Sequence, residues 1–123
     1  MPVTLEWHTT LPVLIATYQG HLTAAAYRAL RDQQRALLAD GPDEVVLLAD
    51  MRQFESFPDA GTIAPGDTLL AHPQIIGAVI VLDAEWYDRL ARAILPADET
   101  RRVSFFEDFD AALAHAETRL RGA

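Results

Sequence analysis

Polar and apolar positions change period several times along this chain. Val3, Leu5 and Trp7 alternate with polar neighbours, the two-residue period of a half-buried strand. A second strand is expected over Pro12–Tyr18, with His8, Thr9 and Thr10 as the hairpin turn and Gly20 as its stop. Thr23 then offers a hydroxyl N-cap to a helix ending near Ala39. Its apolar side carries Ala26, Leu30, Leu37 and Leu38, with Arg28, Arg31, Asp32 and Arg35 largely opposite. Gly41 and Pro42 stop it, Gly41 by accepting a left-handed C′ conformation.

The middle of the chain loses this alternation. Glu44–Asp50 holds VVLLA, and Ile75–Leu82 reads IIGAVIVL; both are apolar runs too short for helices and suit strands covered on both faces. Between them, Met51–Ala64 is expected to be irregular, at about 14 residues longer than the usual loop and therefore a functional candidate. Pro65 opens a short helix ending near Ala71, and Asp83 caps another running to about Leu95. A last strand falls at Val103–Phe106. Asp108 caps a closing helix whose Phe109, Ala112, Leu113, Ala116 and Leu120 form one stripe.

The order is β-β-α-β-α-β-α-β-α. It implies a single α/β domain over residues 1–123, with a mixed, mostly parallel five-stranded sheet and right-handed crossovers.

Composition removes several classes of function. The 123 residues carry 18 acidic and 10 basic side chains, a net charge of −8 that opposes nucleic-acid binding. Cys and Lys are absent, which excludes disulfides, thiol nucleophiles, Schiff-base lysines and a phosphate-loop lysine. No apolar run approaches the ~20 residues of a membrane span, and no secretory leader is evident.

The succession of elements resembles the STAS-like (SpoIIAA-like) family, related to the anti-sigma factor antagonists. The resemblance rests on the opening hairpin, YQGHLTAAAY, VVLLADMRQFESF, LLAHPQIIGAVIVL and VSFFEDFDAALAHAETRL. It implies a small cytoplasmic protein without catalysis or cofactor, which binds a protein partner or an apolar small molecule, often as a homodimer. In the antagonists proper, an Asp-Ser-Ser-Gly-like segment after the central strand is phosphorylated on serine. Laid on Phe57-Pro58-Asp59, that segment would continue into Ala60 and Gly61, which have no hydroxyl; Ser56 and Thr62 lie out of register. The resemblance thus points to the looser STAS-like branch and away from a phosphorylation switch.

Ligands of open parallel sheets favour the crevice beyond the carboxyl ends of the strands. The expected binding surface is therefore the 51–72 segment with Phe54, Phe57 and Leu69, joined by Trp86 from the following helix. Asp50 and Arg52 would organise the loop. Trp86 and Tyr87 are adjacent and cannot share one line of the core, so one faces outward as a dimer or partner contact. A competing reading gathers Asp50, Asp59 and His72 into a small catalytic site. Another makes the chain an antagonist phosphorylated at Ser56 or Thr62. His8, His21, His72 and His115 show no metal-ligand spacing and suit capping or surface roles. Ser56 and Ser104 lack a nucleophile elbow.

Overall fold

The computed structural model describes residues 3–56, 72–83 and 103–122. Its elements are β1 (Val3–Trp7), β2 (Val13–His21), α1 (Ala24–Ala39), β3 (Val45–Ser56), β4 (Ile75–Val81), β5 (Val103–Phe106) and α2 (Phe109–Gly122). The expected helix over 65–71 and the one expected to follow Asp83 as far as 95 lie outside the described residues.

The five strands form one sheet in the order β1-β2-β3-β4-β5. The β1–β2 pair is antiparallel, and β2–β3, β3–β4 and β4–β5 are parallel. The mixed sheet expected from the alternation is therefore present. Its middle strands are buried on both faces. Leu14, Ala16, Val45, Leu47, Ala49, Ala78 and Ile80 point to the side holding Tyr27, Leu30 and Leu38 of α1. Val13, Ile15, Val46, Leu48, Val79 and Val81 point to the other side, under Ala112 and Ala116 of α2. Small residues in α2 let its backbone lie close to the sheet, while Phe109, Leu113 and Leu120 flank the contact.

Both helix starts follow the sequence. Thr23 Oγ1 accepts the Ala26 N–H at 3.1 Å, and Asp108 Oδ2 accepts the Ala111 N–H at 3.0 Å, satisfying donors that a helix N-terminus leaves unpaired. The turn between β1 and β2 is closed by His8, whose Nδ1 accepts from the N–H groups of Thr10 and Leu11 at 3.2 and 3.1 Å. The carbonyl end of α1 is held by Gln74, whose side-chain amide donates to Leu38 O at 2.8 Å and Pro42 O at 2.9 Å.

Four expectations need correction. First, α1 buries Arg31 and Gln34, at 7% and 1% exposure, where Arg31 was placed on the solvent side. Seating Tyr27, Leu30 and Leu38 in one line against the sheet takes these two polar residues with it, because they share that helical stripe. Second, Gly41 does not adopt positive φ; among the described residues only Gly20 does, at 66°. A side chain at Gly41 would instead meet the Trp7 indole, with a Cβ at 2.8 Å from Cζ2 and 3.0 Å from Cη2. Third, β2 does not stop before Gly20 but passes through it to His21, using the backbone freedom of glycine. Fourth, β3 does not end at Asp50: the residues expected to begin a loop at Met51 extend the strand to Ser56.

Candidate binding site at the carboxyl end of the sheet

The extension of β3 is irregular, and the irregularity shapes the site. Thr17 pairs with Asp50 and Gln19 with Gln53, so β3 spends an extra residue against β2, and a further shift falls at Gly20 and His21. Such a bulge bends the strand and re-aims its side chains. Within it, Met51 belongs to the face packed by α1; after it, Phe54 returns to that same face although three positions separate them. Beside the bulge lies a surface concavity of about 430 Å3 lined by Thr17, Tyr18, Gln19, Asp50, Arg52 and Gln53.

Asp50 and Arg52, one strand period apart on β3, lock together in this wall. Arg52 Nε donates to Asp50 Oδ1 at 2.9 Å and Nη2 to Oδ2 at 2.8 Å, while the Arg52 N–H reaches Oδ1 at 3.3 Å. The side-chain hydrogen bonds from Arg52 hold the Asp50 carboxyl below its ordinary pKa, outweighing the opposing effect of its burial. The guanidinium also lies 5.6 Å from the centre of the Phe109 ring, at the first residue of α2. Asp50 raises the Arg52 pKa most, and Asp108 and Asp110 of the α2 start add to it. Arg52 thus ties the end of β3 to the beginning of α2, a structural task beyond the loop organisation expected of the pair.

The other expected site residues fare differently. Phe54 is buried at 6% exposure, with its ring edge-on to Tyr18 at 5.7 Å, so it is part of the core. Burial keeps the Tyr18 phenol protonated well above its usual range. Ser56 is the last residue of β3, opposite His21. Phe57, Asp59, Thr62, Leu69 and Trp86 lie outside the described residues. His72 precedes β4, and Ile75 pairs with Val45 at the start of β3, whereas Asp50 pairs with Val81. Asp50 and His72 are therefore at opposite ends of parallel strands, roughly 16 Å apart at ~3.3 Å per residue. The proposed catalytic grouping of Asp50 with His72 fails on this geometry. Among the described residues no group of three or more His, Cys, Asp or Glu is placed to hold a metal.

One contact had no counterpart in the sequence reading. Ser104 Oγ on β5 lies 3.1 Å from His115 Nε2 on α2, and the His115 ring is 5.2 Å from that of Phe106. No spacing rule links a strand residue to a helix residue eleven positions later, so only the packing of α2 on β5 reveals it. His21, in contrast, sits on the surface, 3.4 Å from Glu55.

The fold is shared with proteins of known structure. An uncharacterized protein from Shewanella loihica, described as having a SpoIIAA-like fold, is 22% identical at a TM-score of 0.64, covering 93% of this chain and 91% of its own. An anti-sigma factor antagonist from Mycobacterium paratuberculosis is 18% identical at a TM-score of 0.64, covering 94% and 92%. The Bacillus cell fate determinant SpoIIAA in its phosphorylated form is 12% identical at a TM-score of 0.58, covering 92% and 97%. No curated protein matches the chain in sequence. The SpoIIAA-like family model matches residues 13–117, which includes every parallel strand, all of α1 and α2 as far as Glu117, and the chain belongs to the SpoIIAA-like family.

Proposed function

We propose that the chain is a regulatory module that works by binding a protein partner at the carboxyl end of its sheet. The observation that carries this reading is the surface concavity lined by residues of β2 and β3, with its wall fixed by the Asp50–Arg52 pair. Family membership supports it, as do neighbours in fold that are described as anti-sigma factor antagonists. The polar lining, with Thr17, Gln19, Asp50, Arg52 and Gln53, suits a protein surface better than an apolar small molecule. The sequence around Ala60 and Gly61 supports binding without a serine switch.

The test is capture from a lysate of the native host, with bulky substitutions at two exposed lining positions. Wild type should retain a specific partner, Gln19→Trp with Gln53→Trp should lose it, and Arg35→Glu on the outer side of α1 should keep it. Equal capture by all three, or capture by none, overturns the proposal.

A further inference from the structure

We infer that the concavity accepts a basic segment of the partner, one rich in arginine or lysine; this rests on the function proposed above and specifies its chemistry. The basis is the charge around the opening. Arg52 is the one arginine among the described residues that line the concavity, and it is already committed: Asp50 takes two of its side-chain N–H groups. Asp108 and Asp110, in the first turn of α2 and at the residue before it, also act on that guanidinium. Among the described residues a single fixed cation thus faces three carboxylates, an excess of negative charge.

The strand ends enlarge that excess. Glu55 on β3, Asp83 just past β4 and Glu107 just past β5 are all exposed at the same end of the sheet. Glu55 is met only partly by His21, which is charged only when protonated. The described charges at the mouth of the concavity are therefore net negative, and they would repel an acidic partner and steer in a cationic segment. The lining offers it acceptors: the side-chain amide oxygens of Gln19 and Gln53 and the Thr17 hydroxyl. With Arg52 tied down by Asp50, the described lining holds no mobile cation to compete.

The test uses a synthetic nine-residue peptide of alternating arginine and alanine, with a glutamate–alanine peptide as its counterpart. Binding is followed by amide chemical shifts at near-physiological salt. The arginine peptide should shift resonances at 17–21, 50–55 and 107–110. Neutralising the rim with Glu55→Gln, Glu107→Gln and Asp110→Asn should weaken it by about tenfold. The same charge change made at Asp40, Asp43 and Glu44, before the start of β3, should leave affinity within about twofold. Shifts scattered over the surface, equal losses in both variants, or equal binding of the glutamate peptide would overturn the inference. If a host partner is captured through the concavity but cross-links there by an acidic or neutral segment, this inference falls while the proposed function stands.

Discussion

Gly41 provides a direct test of why a residue is where it is. A glycine after a helix is ordinarily explained by the left-handed conformation it permits, yet Gly41 has no positive φ, and its N–H closes on Leu38 O at 3.0 Å. The space is the constraint. A Cβ would come within 2.8 and 3.0 Å of two indole carbons of Trp7 and within 3.3 Å of the Leu37 carbonyl. The indole packs against the core and can yield only by shifting several tenths of an ångström out of its seat. Overpacking of this kind costs roughly 1–3 kcal/mol, so Gly41→Ala should destabilise the protein by that amount. In a domain of this size the melting temperature should fall by about 3–5 °C per kcal/mol. The decisive measurement is a double-mutant cycle read by urea unfolding. With Trp7→Ala in place the close contact is gone, and Gly41→Ala should become neutral or even stabilising by about 0.4–1 kcal/mol, because alanine restricts the unfolded chain. A full penalty that persists without the indole would show that backbone conformation governs the position, and the steric account would be refuted.

Thr23→Ala should cost about 0.5–2 kcal/mol by leaving the Ala26 N–H without its side-chain acceptor, measured as a lower urea midpoint with unchanged slope. Asp50 has a lowered folded-state pKa, so its contribution is present above the unfolded carboxyl pKa and is lost as pH falls through the folded one. Asp50→Asn should therefore lower stability at neutral pH and flatten the loss below about pH 4, as seen in denaturation midpoints across that range. The same variant should speed amide exchange at residues 52–56 while leaving β4 protected, since Asp50 holds Arg52 across the bulge. Ser104→Ala and His115→Ala should be non-additive, with a coupling of about 0.5–1.5 kcal/mol that marks the contact between β5 and α2.

Legibility in the sequence followed the length scale of the interaction. The caps at Thr23 and Asp108 act over three residues, and both were readable because the hydroxyl or carboxylate and its N–H partner are fixed by local geometry. The unbroken apolar runs at 45–49 and 75–81 announced strands covered on both faces, since each successive side chain, on whichever face, enters a core. The stripe on α2 was equally plain, because Ala112, Ala116 and their neighbours repeat at helical spacing over several turns. The burial of Arg31 was not readable. Hydropathy assigns an arginine to solvent, whereas the line of Tyr27, Leu30 and Leu38 fixes which side of α1 meets the sheet and takes Arg31 along.

The extension of β3 through the site failed to show in the sequence for a more specific reason. A period-two pattern identifies a strand only while each residue on one strand meets one on its neighbour. At Asp50 that correspondence lapses: Arg52 and Gln53 are both exposed in succession, which reads as the start of a loop, and Phe54 then returns to the core out of phase. The residues that look like a loop are thus residues of a bulged strand that stays paired with β2, and Asp50, Arg52 and Gln53 of that stretch line the concavity. The ionic pair follows from the same geometry, since Asp50 and Arg52 remain on one face of the strand and their side chains meet beside the opening. A partner bound here would be reading a surface built by strand pairing, with its charge supplied by β3, the ends of β4 and β5, and the start of α2. Such a surface can change its specificity by exchanging Glu55 or Glu107 for other residues, because neither is part of the buried core that holds the strands in register.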